Sequence, residues 1–311
     1  MEPSGNLVLA FGFFDGVHLG HAALLNRAKE RAAEKGAVAA VLTFDNHPDT
    51  FVKGEAVPLL CSSGDRDYIL RRYFGIDRVL YIHFNGETMR TPWRKFLEQV
   101  REKYPVVHFV VGYDFRFGDG GQGTAALLAD YCAEHGLGCD VIPAVKRDGL
   151  TVSSTLIRRL LAEGELAEAN RMLGHPHLLT DQVRTGFRLG RTMDFPTVNM
   201  RFEEGVLLPR FGVYASRVLL PEGPRGGVTN IGVRPTFDGS GKRVTVETHI
   251  FDFHEDLYGQ RLCVELHGFL RPEQTFSSPS ELSGQIRRDV ARARQMLQDE
   301  EQTGTGVPFV I

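Results

Sequence analysis

Two histidines lie three residues apart near the start of the chain, in the stretch "FGFFDGVHLGHAALLNRA" at 11–28. His18 and His21 offer ring nitrogens that can bind an anion, and Gly12 and Gly20 let the backbone approach a ligand closely. If a helix begins here, its N-terminus adds unpaired N–H groups and a partial positive charge. Either histidine alone would be more typical of a tight turn. Together these features predict a site for nucleotide phosphates.

The elements on either side of the histidines support this prediction. Residues 7–12 form an apolar run of the length expected for a buried strand, and a helical spacing of apolar residues begins at Leu19. Between them, Phe14 and Asp15 belong to the same turn, and Asp15 adds a carboxylate next to the histidines. The stretch therefore has the form strand, glycine-rich turn, helix.

Further polar stretches follow predicted strands. "TFDNHPDT" at 43–50 offers His47 before Pro48, and "VGYDFRFGDGGQG" at 111–123 contains Asp114, Phe115 and Arg116. The part "GDGGQG" matches a dinucleotide-binding glycine pattern, but it does not directly follow its strand and lacks a P-loop lysine. We expect it to be a flexible active-site loop.

A hydroxyl-rich stretch, "VSSTLIRRLL" at 152–161, is predicted to begin a helix. It places Ser153, Ser154 and Thr155 at the helix N-terminus, with Arg158 one turn further on. Hydroxyls, a helix N-terminus and an arginine together describe a second phosphate-binding group.

The first half of the chain alternates strand-like and helical patterns. Strands are predicted at 7–12, 37–43, 78–84, 106–112 and 138–145, with helices near 20–35, 66–74, 92–103 and 124–135. Apolar strands separated by helices predict a parallel, doubly wound α/β sheet, whose ligands bind beyond the carboxyl ends of the strands.

The second half has a different pattern. A helix is predicted over 154–173, and short strands follow at 183–188, 206–208, 212–220, 226–233, 243–251 and 261–270. These predict an antiparallel barrel or sandwich. Ser278 and Glu281 form a capping-box pattern for a final helix, whose apolar stripe would pack on the barrel.

Two stretches of the second half could carry chemistry. In "LGRTMDFPTVNM" at 189–200, the Thr197 hydroxyl and the Asn199 amide oxygen are suitable ligands for Mg²⁺, although "PTVN" alone is more typical of an ordinary turn. In the alternating stretch 242–253, Glu247 shares one face with Thr245 and His249.

Composition limits the class of protein. The chain has 311 residues, 42% hydrophobic content and a net charge of −3, which suits two globular domains and gives no global basic field for nucleic acid. We expect no membrane span and no signal peptide. The four cysteines form neither a zinc nor a disulfide pattern, so a reducing cytoplasm is expected.

The quoted motifs together carry a family resemblance. "GFFDGVHLGH", "TFDNHP", "GYDFRFG" and "VSSTLIR" occur in the order found in the adenylyltransferase half of bacterial bifunctional riboflavin kinase/FAD synthetases, and "PTVN", "VETHIFDF" and "DLYG" extend the resemblance through the kinase half. It implies a doubly wound nucleotidyltransferase domain at 1–180 and a Greek-key β-barrel kinase domain at 181–311 with a C-terminal helix.

The resemblance also implies two reactions and a role for each motif. Riboflavin and ATP would give FMN, and FMN and ATP would give FAD and pyrophosphate. His18 and His21 would contact ATP phosphates, as would the glycine-rich turn. Ser153, Ser154, Thr155 and Arg158 would hold the outgoing pyrophosphate. The stretch 112–118 and His47 would contact the flavin.

In the kinase half, Glu247 would orient or deprotonate the flavin 5′-hydroxyl, and Thr197 and Asn199 would hold Mg²⁺ with ATP. Asp194 stands where relatives usually have glycine, and a carboxylate there could either assist the metal or repel the phosphates. We expect a monomer or weak homo-oligomer. Two alternatives stay open: a nucleotidyltransferase with another acceptor, and a flavin-sensing protein without turnover.

Overall fold

The computed structural model describes residues 5–45, 57–184, 195–235 and 242–303. His47 and Asp194 lie outside these ranges. The described residues form two compact units: one holds those before 60 together with 66–154, and the other holds 60–65 together with those from 155 onward. A functional boundary at residue 180 stays a prediction.

The first unit is built on a five-stranded parallel sheet in the order β3-β2-β1-β4-β7. Its strands and short hairpins are β1 (Leu7–Phe11), β2 (Val38–Phe44), β3 (Arg78–Ile82), β4 (Val106–Gly112), β5 (Arg116–Phe117), β6 (Gly123–Thr124), β7 (Gly138–Ile142), β8 (Lys146–Arg147) and β9 (Leu150–Thr151). Its helices are α1 (Leu19–Lys35), α2 (Ser63–Arg72), α3 (Gly86–Met89), α4 (Trp93–Lys103) and α5 (Ala125–Glu134). The predicted doubly wound α/β architecture is confirmed.

The centre of this sheet explains where a ligand can bind. Every residue of β1 is buried, as expected for an apolar strand with neighbours on both sides. The chain continues from β1 to β2 on one side, while β4 begins the other side of the sheet. The strand order therefore reverses between β1 and β4, and a crevice is expected at their carboxyl ends.

The second unit is built on a six-stranded antiparallel sheet in the order β10-β15-β12-β13-β14-β11. Its strands are β10 (His177–Gln182), β11 (Thr197–Met200), β12 (Gly212–Leu220), β13 (Gly223–Pro235), β14 (Lys242–Ile250) and β15 (Arg261–Arg271). The sheet curls until Arg184, just after β10, bridges to Asn199 on β11 at the opposite edge. This confirms the predicted barrel.

Three helices belong to this half of the chain: α6 (Ser154–Glu163), α7 (Leu166–Leu173) and α8 (Pro279–Thr303). The predicted capping residues begin α8, because Ser278 Oγ accepts a hydrogen bond from Glu281 N. The Ala293 and Leu297 side chains of α8 are buried against Val213 and Val228 of the sheet. The final helix thus covers one face of the barrel, as predicted.

Several sequence-based boundaries were wrong. The single helix predicted over 154–173 is divided at Gly164, whose φ of +87° is left-handed and ends α6. Residues 177–182 form β10, a strand that the sequence analysis did not predict, whereas most of the strand predicted at 183–188 lies outside the described residues. Residues 206–208 form no strand. The "GDGGQG" segment is not among the residues that line the first cavity described below, and a Cβ at its first residue, Gly118, would lie 2.6 Å from Trp93.

One buried histidine makes the stability of the second unit sensitive to pH. His177, at the start of β10, is 3% exposed, and its Nε2 has no hydrogen-bond partner among the described residues. Burial, together with the nearby charge of His175, lowers the pKa of His177 to about 4. The imidazole must therefore stay neutral in the folded state, although it can protonate in the unfolded chain near pH 6.5.

We predict that the free energy of unfolding decreases as the pH falls from about 6.5 to about 4, by up to about 3 kcal/mol from His177 alone. The unfolded state binds the additional proton in this window, so acid favours unfolding. Denaturant melts of His177→Gln at several pH values should show a smaller decrease than the wild type. His254→Gln, which replaces an exposed histidine of the same unit, is the matched control. Equal slopes for wild type and His177→Gln would contradict the prediction.

Candidate functional site

A cavity of about 480 Å³ lies at the carboxyl ends of β1 and β4, where the strand order reverses. This volume is in the range of small-molecule sites. Nine of the residues predicted from the sequence line it: Gly12, His18, Gly20, His21, Asp114, Phe115, Arg116, Ser153 and Ser154. Residues distant in sequence are thus brought together as the motifs predicted.

A strained turn carries the chain from β1 into α1. Phe14 has a φ of +58°, Gly16 of +72° and Val17 of +43°, all in the left-handed region. For Phe14 and the β-branched Val17 such values are unfavourable, by roughly 1–3 kcal/mol each, and persist only where the surrounding structure holds them. Both side chains are fully buried, which supplies that support.

Phe14 and Asp15 were predicted to bind ATP or phosphate, and the structure buries both within this turn. Neither is among the residues that line the cavity. The Phe14 ring lies 5.0 Å from the His21 ring, and the Asp15 carbonyl accepts a hydrogen bond from Ser154 Oγ at 3.1 Å. The structure therefore gives them supporting contacts to residues that do line the cavity.

The two histidines form a stacked pair at the start of α1. Their ring centroids are 3.8 Å apart, with an angle of 11° between the planes. His18 is the N-cap residue of α1, and its Nδ1 accepts a hydrogen bond from His21 N at 3.3 Å. A Cβ at position 20 would lie only 3.0 Å from the His18 ring, so glycine at this position leaves room for the imidazole. The helix cap thus orients the first imidazole.

The environment keeps His21 neutral. Burial first, then the neighbouring His18 and Arg66, hold the pKa of His21 well below its usual value. Its Nδ1 is buried and has no hydrogen-bond partner among the described residues. A neutral imidazole with an unused nitrogen is suited to a hydrogen bond with a ligand in the cavity.

The predicted hydroxyl-rich group is divided between the two compact units. Ser153 and Ser154 line the cavity, where the Ser154 hydroxyl connects the start of α6 to the turn before His18. Thr155 and Arg158 lie on α6 in the part of the chain assigned to the second unit. Thr155 is exposed and Arg158 is half-buried.

An aromatic wall forms the end of the cavity after β4. The Phe115 ring lies 4.5 Å from the ring of Phe11 in an edge-to-face contact and stacks on Phe117 at 5.4 Å. Phe115 lines the cavity, whereas Phe117 is buried in the core. Tyr113, which belongs to the stretch 112–118 predicted to contact the flavin, also lines the cavity and is 54% exposed. The wall is suited to a planar ring.

Sequence reasoning also missed a buried arginine behind the cavity. Arg66 of α2 is 2% exposed and donates hydrogen bonds to the carbonyls of Phe13 and Phe44, at 2.7 and 2.9 Å. Thr43 donates to the same Phe13 carbonyl at 2.9 Å. An arginine in a polar helical segment usually indicates a solvated face, so no sequence signal marked it.

The second candidate site lies on the sheet of the second unit. Asn199 of β11 and Asn230 of β13 both pair with Glu247 of β14, one on each side. Residues directly opposite in antiparallel strands share a face, so these three side chains form one polar row. In the adjacent row, Thr197 pairs with His249. The strand register thus brings together the three residues predicted for the kinase half.

This face borders a cavity of about 380 Å³, lined by Thr197, Asn230, Glu247 and His249 together with Leu282 and Ile286 at the start of α8. Arg271, which also lines it, forms an ion pair with the buried Asp289 of α8 at 2.8 Å. Burial lowers the pKa of His249, whose Nδ1 lies 3.0 Å from the Pro196 carbonyl. The cavity is mixed: apolar on the helix side and polar along β14.

A neighbouring cavity of about 500 Å³ is lined by Thr197, Val198 and residues 253–258. Thr197 borders both cavities. The oxygens of Thr197, Asn199 and Glu247 are hard ligands of the kind Mg²⁺ prefers. Among the described residues there is no group of three His, Cys, Asp or Glu side chains that could hold a metal by themselves.

The fold and the first cavity define a nucleotidyltransferase-type α/β unit, joined here to an antiparallel barrel. The family model described as FAD synthetase matches residues 1–156, and the one described as riboflavin kinase matches residues 173–297. The chain belongs to the bifunctional riboflavin kinase/FMN adenylyltransferase family.

Curated relatives support this assignment over nearly the whole chain. The bifunctional riboflavin kinase/FMN adenylyltransferase of Escherichia coli (strain K12) is 38% identical, covering 95% of this chain and 94% of the relative. That of Listeria monocytogenes is 35% identical, covering 91% and 90%. A solved structure described as a macrolide-efflux protein from Streptococcus pneumoniae is 26% identical, with a TM-score of 0.82 over 94% of this chain and 95% of that one. Both halves of the fold therefore occur together in another chain.

Across the parts of the chain that the structure describes, none of the helices combines the length and apolar character needed to cross a bilayer.

Proposed function

We propose that this chain makes FMN and FAD in two steps, with riboflavin phosphorylated at the barrel and FMN adenylylated at the α/β unit. The observation that carries this proposal is the cavity at the strand-order reversal, which joins the stacked histidines, the serine pair and the aromatic wall. Membership of the bifunctional family supports assigning the phosphorylation of riboflavin to the barrel.

For adenylyl transfer, the enzyme must align the FMN phosphate with the α-phosphorus of ATP, because the nucleophile is already present in the substrate. We infer that His18 and His21 contact the ATP phosphates at the N-terminus of α1, where N–H groups add to the attraction. The leaving pyrophosphate would be held by Ser153, Ser154, Thr155 and Arg158, an assignment that rests on the family resemblance. Positioned donors stabilise charge that develops on the phosphoryl oxygens.

For phosphorylation, riboflavin would bind in the cavity between β14 and α8, and ATP in the neighbouring cavity along 253–258. Glu247 lines the cavity between β14 and α8, where its carboxylate can orient the flavin 5′-hydroxyl or accept its proton. Thr197 borders both cavities, as a residue between the two substrates must.

We assign Mg²⁺ to the oxygens of Thr197, which borders both cavities, and of Asn199, which pairs with Glu247 across β11 and β14. When bound, the ion supplies positive charge that neutralises the transferring phosphoryl group. Thr197 and Asn199 on β11 would then hold the metal and the phosphates next to the alcohol that Glu247 on β14 orients. We further propose that the protein is a monomer or weak homo-oligomer in the cytoplasm. It would act without nucleic acid, which is consistent with its net charge of −3.

Incubation of the purified protein with riboflavin, ATP and Mg²⁺, followed by chromatographic separation of the flavins, tests the proposal directly. FMN should appear first and FAD later, with pyrophosphate released in the second step. Absence of both products from folded protein would refute enzymatic function and favour a flavin sensor. Formation of FMN without FAD would contradict the assignment of FMN adenylylation to the α/β unit.

We predict that His21→Ala abolishes FAD formation and leaves FMN formation nearly unchanged, because the imidazole contacts only the phosphates of the first cavity. Replacing the exposed His135 of the same unit by Ala should affect neither product. Both rates would be measured by chromatography with riboflavin or FMN supplied. Equal loss of the two activities in a folded variant would contradict two separate sites.

For Glu247→Gln we expect riboflavin phosphorylation to fall by roughly 10²-fold or more, the usual scale for loss of a general base. Glutamine preserves shape and much of the hydrogen bonding, so flavin affinity, followed by fluorescence, should survive. The measurement is single-turnover FMN formation at saturating ATP, with FAD formation from supplied FMN as the internal control. A wild-type rate would remove Glu247 from the chemistry.

The metal assignment predicts that Asn199→Ala raises the Mg²⁺ concentration required for half-maximal phosphorylation. Losing the amide oxygen removes one ligand while Thr197 remains. A Mg²⁺ titration of FMN formation, with FAD formation from FMN titrated in parallel, measures this effect. An unchanged midpoint for phosphorylation would exclude Asn199 as a ligand.

A further inference from the structure

A buried guanidinium joins the carboxyl ends of two central strands behind the first cavity. Arg66 Nη1 donates to the Phe13 carbonyl at 2.7 Å and Nη2 donates to the Phe44 carbonyl at 2.9 Å. Phe13 follows β1, and Phe44 is the last residue of β2. Both residues line the cavity. One side chain therefore bridges two segments of the cavity wall.

The Phe13 carbonyl is held especially firmly, since Thr43 Oγ1 donates to it as well, at 2.9 Å. The guanidinium also lies over the Phe13 ring, 4.7 Å from its centroid, and 5.6 Å from that of Tyr81. Phe13 directly precedes the left-handed turn that begins at Phe14. A turn with unfavourable φ values needs such external restraint.

The shape of the guanidinium is essential to this arrangement. Two nitrogens of one planar group reach two carbonyls, one at the end of β2 and one just after β1, and the guanidinium carbon lies over the Phe13 ring. An ammonium group carries its charge at a point and does not reproduce the planar fork. Lysine at position 66 would keep the positive charge without reproducing the bridge.

The same charge acts on the stacked histidines. It opposes protonation of His21 and so adds to the effects of burial and of His18 in lowering the His21 pKa. The other titratable or charged groups in the turn or lining the cavity are Asp15, Tyr113, Asp114 and Arg116. Removing the Arg66 charge should therefore raise the His21 pKa in part, because burial and His18 remain.

We propose that Arg66 is a positioning residue for adenylyl transfer: it holds the turn between β1 and α1 at the distance from β2 that presents His18 and His21 to the nucleotide. This inference rests on the proposed roles of the two histidines. It adds a residue of α2 that does not itself line the cavity but contacts Phe13 and Phe44, which do.

The test compares Arg66→Met and Arg66→Lys with Arg72→Met, which removes an exposed arginine of the same helix. For both Arg66 variants we expect kcat/KM for FAD formation to fall by about 10²-fold, the effect of a displacement of about 1 Å in a reacting site. FMN formation from riboflavin should stay at the wild-type level. Arg72→Met should leave both activities unchanged.

A histidine titration by NMR separates charge from positioning. In Arg66→Met the His21 imidazole should titrate at higher pH than in the wild type, and the acid limb of the pH–rate profile should move in the same direction. In Arg66→Lys the titration should stay near the wild-type position although the rate remains low. A purely structural role would reduce stability without this difference between the variants.

A wild-type rate of FAD formation in Arg66→Lys would show that the planar guanidinium is not required. An unchanged His21 titration in Arg66→Met would show that the Arg66 charge does not lower the His21 pKa. Circular dichroism checks that each variant is folded, and Arg66→Lys carries the test if Arg66→Met does not fold. The titration also separates failure of the Arg66 proposal from failure of the proposed adenylyl transfer, because the His21 titration can be measured even if the wild type makes no FAD.

Discussion

The turn between β1 and α1 has to be held in a conformation that its residues would not adopt by themselves. Phe14 and Val17 have positive φ values, and their buried side chains together with the tightly held Phe13 carbonyl keep them there. Because of this turn, His18 can cap α1 and stack on His21. The proposed phosphate site thus depends on strain that the core of the α/β unit compensates.

Burial disfavours a charged imidazole at His21. His21 is enclosed beside a second imidazole and a buried cation, and all three effects act against a charged ring. A neutral histidine binds phosphate through a hydrogen bond, while the helix N-terminus provides the positive potential. Two stacked imidazolium ions would repel each other. The positive potential therefore comes from the backbone of the helix N-terminus, and the neutral side chain supplies the hydrogen bond.

In the barrel, the strand register positions the candidate site residues. Glu247 lies between Asn199 and Asn230 because β14 pairs with β11 and β13 at that position. A shift of one residue would turn Glu247 to the opposite face of the sheet, where Val246 and Thr248 are buried. Long antiparallel pairing and the packing of α8 therefore protect the function as well as the fold.

The sequence by itself determined the alternation of elements, the five central strands and the motifs, because apolar periodicity and glycine-rich turns are local signals. It also predicted nine residues of the first cavity, since ligands of doubly wound sheets collect at the carboxyl ends of the strands. The break at Gly164 and the strand β10 were missed, because a left-handed glycine and a strand after Pro176 have no distinct apolar pattern. Only the tertiary structure decided that Phe14 and Asp15 are buried supports, and that Arg66 bridges two strand ends. Burial and long-range hydrogen bonds depend on which distant segments meet, and local spacing does not encode that.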